Sequence, residues 1–302
     1  MQPIDCTVEM AAPSRWTDGL ECNSTVTVQG SAMVDSVLER HNVSIAGNVN
    51  ATKTMVFVNG LGYDQSFWNR VAPAFANSYR QVLFDNIGAV PSNQAYFRQR
   101  ETHYLDVSGY ATDLLDLCAA LKLDRNVVLV GHSLGALAGI LASIQKPSVF
   151  SHLILLGASP RYANTDGYVG GFTPGEINAT YKALMGNYQE WTRQLAVTAI
   201  GTQPTPDLAQ SFGESLARVP KEMMLTVLCS VLQTDHRADL AKVSVPSLII
   251  QSMEDFFVPR SVAEFLHAQV PQSTLTMINA QGHLPHLSAP QEVINAIKGF
   301  LG

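Results

Sequence analysis

The sequence predicts an α/β fold in which a mostly parallel central sheet carries helices on both faces. Short apolar runs recur along the chain, and each is bounded by turn or polar residues. Helical patterns separate consecutive runs, and this alternation is typical of parallel sheets whose two faces are both covered. The chain has 302 residues, of which 46% are hydrophobic and 15% are charged. This length and composition are sufficient for one large domain with a sizeable core.

The predicted strands and covering helices follow one another in a regular order. Residues 37–45 alternate between apolar and polar types, as an edge strand does. Six further strands are expected over residues 54–59, 81–85, 126–130, 152–156, 247–251 and 275–279. Residues 106–121 and 291–301 have the apolar periodicity of amphipathic helices that cover a sheet.

One long stretch interrupts the alternation of strands and helices. Between the fifth and sixth predicted strands no strand pattern occurs, and the segments near 174–186, 188–200, 206–218 and 220–232 read as helices. We interpret residues 160–240, approximately, as a helical cap inserted into a domain that spans residues 33–302. Residues 1–32 lack clear periodicity, so we expect them to form a loosely ordered N-terminal extension.

Charge and composition exclude several classes of partner. The formal net charge of −6 argues against nucleic acid and anionic membranes, because both bind to basic surfaces. No apolar run approaches the ~18 residues of a membrane helix, and no apolar block predicts a secretory signal. The four cysteines lie far apart, and neither they nor the eight histidines show the spacing of a metal site. We therefore expect a cytoplasmic protein that uses neither a metal nor a cofactor.

The most specific motif is Gly-His-Ser-Leu-Gly at residues 131–135, which follows a predicted strand and precedes a helical segment. In this context Gly-x-Ser-x-Gly places Ser133 at the apex of a tight turn, where its hydroxyl can act as a nucleophile. The N–H of Leu134, the next residue, is one donor for an oxyanion hole. Leu61, in the loop after strand 54–59, is the natural second donor. A purely structural serine in a glycine-rich turn is the alternative interpretation.

The acid and the base of a hydrolytic triad are expected after the serine, in that order. Glu254 and Asp255 stand at the end of the sixth predicted strand, and position alone leaves them about equal as the acid. Asp235 and Asp239 lie in a charged helical stretch and fit ion pairs better. His283 follows the last strand on a loop that begins with a glycine, which is where a general base belongs.

Two other histidines lie near these residues in the sequence. His286 is interpreted as structural. His132 lies within the serine turn, and we expect its ring to point away from the pocket.

With these residues in place, the chain resembles the family of the bacterial regulator RsbQ and the plant strigolactone and karrikin receptor-hydrolases, which have the α/β-hydrolase fold. The resemblance covers about residues 34–300, with motifs such as GLGYDQSFW at 60–68 and GHLPHLSAP at 282–290. It implies a four-helix, V-shaped cap over an apolar pocket, and it selects Asp255 as the acid. The family's pocket positions fall on Leu61, Tyr162, Phe172, Trp191, Leu195, Phe212 and Leu232. Read from the residues alone, Trp191 fits the core of the cap equally well.

The resemblance implies a cofactor-free serine hydrolase of small neutral esters or lactones, such as butenolides of the strigolactone type. It leaves an alternative, a ligand-sensing protein that signals through a protein partner and hydrolyses its ligand slowly. Asn59, Leu61 and the pair Phe256-Phe257 depart from the family pattern. These departures leave the triad intact and bear on which substrate the pocket accepts.

Deletion of residues 1–32 is expected to leave ester hydrolysis and the melting temperature unchanged. That segment supplies no recognisable core pattern and precedes Met33, where members of the resembled family begin. The full chain and the truncated chain can be compared by thermal unfolding and by turnover of p-nitrophenyl acetate. A fall of more than a few degrees would show instead that the segment docks on the domain.

Overall fold

A computed structural model of the chain describes residues 37–201 and 206–302, so the predicted extension over residues 1–32 lies outside the described residues. Seven strands form one sheet in the order β1-β3-β2-β4-β5-β6-β7. The strands are β1 Ser44–Gly47, β2 Thr54–Val58, β3 Arg80–Leu83, β4 Val127–His132, β5 Phe150–Leu156, β6 Ser247–Glu254 and β7 Ser273–Gln281. β1 runs antiparallel to β3, and all other neighbouring pairs are parallel. The predicted mostly parallel sheet is confirmed.

Helices surround this sheet. They are α1 Gln94–Gln99, α2 Ser108–Ala120, α3 Leu134–Gln145, α4 Pro174–Gly186, α5 Tyr188–Ile200, α6 Pro206–Ala217, α7 Lys221–Leu232, α8 Arg260–Gln269, α9 Pro285–Ser288 and α10 Pro290–Leu301. Short 3₁₀ turns connect several of them. Among the described residues, none of the helices has the length and apolar content required to cross a membrane.

The central strands read as continuous apolar runs because both faces of the sheet are buried. Successive residues of β2 alternate between two cores: Val56 and Val58 belong to one, and Met55 and Phe57 to the other. The first core contains residues of α2, α3 and α8, whereas the second contains residues of α10. Since side chains alternate across a strand, a sheet covered on both faces favours apolar residues at successive positions, and Met55–Val58 of β2 are all apolar and buried.

The predicted edge strand over residues 37–45 is partly wrong. Residues 37–40 are helical, and β1 begins only at Ser44. Asn42, which has a φ of 46°, ends the helical turn, and its N–H donates to the carbonyl of Glu39. Val37, Leu38, Val43 and Ile45 all pack against the core, so one apolar series serves both a helical turn and a strand. The spacing of these residues therefore did not distinguish the two elements.

The parallel direction of the strands gathers the candidate site at one edge of the sheet. This edge is where β2, β4, β6 and β7 end. The loops that follow these four strands carry, in the same order, Leu61, Ser133, Asp255 and His283. The four helices α4 to α7 lie between β5 and β6 along the chain. α5 packs along α6, and α4 contacts both α5 and α7.

Candidate active site

Ser133 occupies a sharp turn between β4 and α3. Its φ of 52° and ψ of −117° lie in a region that L-amino acids rarely adopt. The flanking glycines permit this turn. A Cβ on Gly131 would lie 2.7 Å from the Gly135 carbonyl oxygen, and a Cβ on Gly135 would lie 2.5 Å from the Val58 carbonyl oxygen. The Ser133 N–H donates to the Leu156 carbonyl at 2.9 Å, which fixes the turn to β5.

Ser133, His283 and Asp255 are joined by two hydrogen bonds. His283 Nε2 lies 2.9 Å from Ser133 Oγ, and His283 Nδ1 lies 2.8 Å from Asp255 Oδ2. A carboxylate oxygen only accepts, so Nδ1 carries the proton and Nε2 is left to accept from the serine hydroxyl. This tautomer is the one that a general base needs to take up the serine proton.

The structure brings Asp255, rather than Glu254, to the histidine. The Asp255 side chain is 1% exposed, and its Oδ1 accepts from the N–H groups of Phe257 and Val258 at 2.8 and 3.1 Å. Burial alone would raise the pKa of Asp255, but His283 and these N–H donors hold it below its usual range. Glu254 is exposed.

The rival acids have other partners. Asp235 pairs with Arg161 and Arg237, and Asp239 accepts from Lys242 and His236.

Two backbone N–H groups beside Ser133 are available for an oxyanion. Leu134 is the first residue of α3, where N–H groups have no acceptor within the helix. Leu61 lies in the loop after β2 and lines the same cavity as Ser133. Neither N–H donates a hydrogen bond within the part of the chain that the structure describes. The start of a helix also favours a developing negative charge.

A cavity of about 360 Å³ opens above Ser133. The structure places all the predicted pocket residues in its lining: Leu61, Tyr162, Phe172, Trp191, Leu195, Phe212 and Leu232. The Tyr162 hydroxyl lies 3.4 Å from Ser133 Oγ, and burial raises the pKa of this phenol, so it stays protonated. Among the described residues, no Lys, Arg, Asp or Glu side chain lines the cavity, and no cluster of His, Cys, Asp or Glu could hold a metal ion.

Sequence reasoning missed several residues of the cavity rim. Gln194 and Thr198 of α5 line it together with Trp191 and Leu195. These four positions are spaced three and four residues apart, so helical periodicity would have predicted the two polar ones once the others were placed. Phe256 and Phe257 were not missed, since the sequence already connects them with the choice of substrate. Both line the cavity, and Phe256 is 64% exposed.

The expectation that the His132 ring points away from the pocket is wrong. The ring is buried, contributes to the cavity lining and lies 4.8 Å from the His283 ring, centroid to centroid. Its Nε2 is 2.6 Å from the His283 carbonyl oxygen. His286 is buried and stacks on Trp68, with ring centroids 4.6 Å apart.

Comparisons with known proteins agree with this architecture. The family described as "Alpha/beta hydrolase family" matches residues 55–296. The chain is 40% identical to the karrikin insensitive 2 receptor IA of Petunia hybrida, covering 80% of this chain and 88% of that protein. It is 38% identical to the strigolactone esterase RMS3 of Pisum sativum, covering 87% and 97%. Among solved structures, a hydrolase from Oleispira antarctica superposes with a TM-score of 0.84 at 26% identity, covering 89% and 97%.

Replacing Asp255 by Asn is expected to lower kcat for an ester by a factor on the order of 10⁴, because the amide no longer fixes the histidine tautomer. Glu254→Gln is the matched control, since it makes the same chemical change one residue away on an exposed side chain. Steady-state turnover of p-nitrophenyl acetate measures both. Equal losses in the two variants would contradict the assignment of Asp255.

Proposed function

The chain belongs to the alpha/beta hydrolase family, in the group that contains the plant strigolactone esterases and karrikin receptors, and on this premise we propose that it hydrolyses small neutral esters or lactones at Ser133. The observation that carries the proposal is the hydrogen-bonded series Ser133–His283–Asp255 at the base of a mostly apolar cavity. Its members are assigned the roles of nucleophile, base and orienting acid.

The proposed reaction proceeds in two halves. Ser133 Oγ attacks the acyl carbonyl while His283 Nε2 takes its proton, and the oxyanion accepts hydrogen bonds from the Leu61 and Leu134 N–H groups. Collapse expels the alkoxide or enolate, which receives the proton from His283. Water then attacks the acyl-serine, again giving a proton to His283, and the acid is released as Ser133 is restored. Asp255 stabilises the imidazolium formed in each half.

The cavity defines the substrate class in this proposal. Within residues 37–201 and 206–302, no Lys, Arg, Asp or Glu side chain lines its walls. Burying an unpaired charge there would cost several kcal/mol, whereas apolar surface gains ~25 cal/mol per Å². A volume of about 360 Å³ is near the lower end of the range of roughly 300–1,000 Å³ found for small-molecule pockets, so the substrate is compact. Because one of the relatives is a strigolactone esterase, a butenolide of the strigolactone type is the leading candidate for the substrate.

A second candidate function is ligand sensing through a protein partner, which the karrikin receptor among the relatives supports. The observation in its favour is a direct contact between the cavity wall and the base loop. The His283 N–H donates to the carbonyl of Ala199 on α5, at 2.6 Å, and Ala199 itself lines the cavity. Thermal shift of Ser133→Ala with a butenolide, alongside turnover by the wild type, separates binding from hydrolysis. A large shift with negligible wild-type turnover would favour sensing.

Replacing Ser133 by Ala is expected to lower ester turnover by a factor on the order of 10⁴ to 10⁶ while the protein remains folded. The physical reason is loss of the nucleophile from a side chain that faces the cavity. Ser143→Ala is the matched control, because Ser143 is also a buried serine and lies in α3, which follows Ser133, while its hydroxyl donates to the Ile140 carbonyl of the same helix. Turnover and circular dichroism are measured for both variants. More than a tenth of wild-type activity in Ser133→Ala would refute the assignment.

The size and charge of the esters that the cavity accepts provide a further prediction. Short aryl esters such as p-nitrophenyl acetate and a neutral butenolide enol ether should be hydrolysed, whereas long-chain and charged esters should be hydrolysed poorly. The Phe256 ring lines the cavity, and its centroid lies 5.9 Å from that of the Phe172 ring. Because Phe256→Ala removes this bulk, it should raise activity on longer acyl chains relative to acetate. Initial rates on a chain-length series measure this. Efficient cleavage of long or charged esters by the wild type would overturn the proposed substrate class.

A further inference from the structure

The geometry points to His132 and Tyr63 as positioning residues that hold the backbone of the catalytic base, an inference that rests on the proposed function. The ring of His132 bridges two loops of the site. Its Nε2 lies 2.6 Å from the His283 carbonyl oxygen, and its Nδ1 lies 2.8 Å from the Tyr63 hydroxyl. Both residues line the cavity, but each of these hydrogen bonds joins two protein groups, and through them the two residues act on His283.

The direction of each hydrogen bond follows from the chemistry of the atoms. A carbonyl oxygen only accepts, so His132 Nε2 must carry the ring proton. Burial is the main cause that lowers the pKa of His132 well below its usual value, and the nearby His286 and His283 lower it further. The ring is therefore neutral and carries one proton. Nδ1 is therefore an acceptor, and the Tyr63 hydroxyl is its donor. The phenol is itself buried, which raises its pKa and keeps the proton on oxygen.

The resulting series connects three segments that the reaction uses. Tyr63 follows the oxyanion residue Leu61 by two positions, His132 immediately precedes Ser133, and His283 is the base. The oxyanion loop also packs closely on this ring, since a Cβ on Gly60 would lie 2.7 Å from His132 Nδ1. Hydrogen bonds thus run from the oxyanion loop, through the serine turn, to the base loop.

His286 provides an internal comparison. It is also buried, and its ring lies 4.7 Å from that of His132. Within the described residues, neither of its ring nitrogens has a hydrogen-bond partner, and burial lowers its pKa to about 3. Burial of a histidine beside the site therefore does not by itself produce a bridge. The two bonds of His132 distinguish it.

Tyr63→Phe tests the bridge with the smallest change. Without the hydroxyl, His132 Nδ1 loses its partner, and the ring is oriented by its bond to the His283 carbonyl alone, so the base loop is held less firmly. We expect kcat for p-nitrophenyl acetate to fall roughly 10- to 100-fold with KM within about twofold, because a misplaced base slows chemistry more than binding. Tyr104→Phe is the matched control: this tyrosine is equally buried, and its hydroxyl donates to Asp113 instead, at 2.9 Å. It should leave kcat unchanged.

His132→Leu and His132→Gln separate hydrogen bonding from packing. His132→Leu removes the donor and should lower kcat at least as much as Tyr63→Phe does. His132→Gln retains an N–H donor, so its kcat should be substantially higher than that of His132→Leu. Combining Tyr63→Phe with His132→Leu should cost no more than His132→Leu alone, since Tyr63 acts only through His132.

The rate at which a fluorophosphonate labels Ser133 is measured in parallel, because it reports on the serine and its base without requiring a substrate. Absence of Ser133-dependent turnover in the wild type would refute the proposed function, while the labelling rates would still test the bridge. The inference is overturned if Tyr63→Phe matches Tyr104→Phe in kcat and labelling, or if His132→Gln is no better than His132→Leu.

Discussion

The left-handed backbone of Ser133 is the constraint on which the rest of the site depends. Holding a non-glycine residue in such a conformation costs on the order of 1–3 kcal/mol, and surrounding contacts must offset this. Gly131 and Gly135 permit the turn because they lack a Cβ that would clash with the neighbouring backbone, and the hydrogen bond from the Ser133 N–H to the Leu156 carbonyl contributes to the offset. Because the turn is fixed from both sides, the direction of the Ser133 side chain is fixed at Cβ, and its Oγ lies 2.9 Å from His283 Nε2.

A second requirement is the burial of a single carboxylate beside an apolar cavity. Asp255 is almost completely removed from solvent, and an unpaired charge there would be strongly unfavourable. Its oxygens accept from His283, from two backbone N–H groups and from Gln251 Nε2 at 3.0 Å. The charge is therefore stabilised by protein groups before any substrate binds. The imidazolium formed during the proposed reaction meets a carboxylate already held in position.

The helices above the sheet participate in the geometry of the base as well as in the cavity. α5 supplies Trp191, Leu195 and Ala199 to the cavity wall, and the Ala199 carbonyl accepts from the His283 N–H. On the opposite side of the base loop, the His283 carbonyl faces His132. The peptide groups of His283 are thus bonded in two directions, one towards the helices and one towards the serine turn. A bound molecule that displaced α5 would move the Ala199 carbonyl and, through this hydrogen bond, the backbone of His283.

Local patterns in the sequence determined the sheet, the serine turn and the position of the base, because each is encoded within a few adjacent residues. The buried runs of β2, β4 and β5 and the Gly-x-Ser-x-Gly turn are of this kind. The resemblance to a known family added the pocket lining and Asp255.

Relations between distant segments were decided only by the tertiary structure. Position alone did not separate Glu254 from Asp255, since adjacent residues at a strand end differ only in the direction of their side chains, and it is the place of His283 that distinguishes them. The orientation of His132 depends likewise on Tyr63 and on a carbonyl 151 residues further along the chain. Such distances are set by how parallel strands pack side by side, and no local pattern of residues records them.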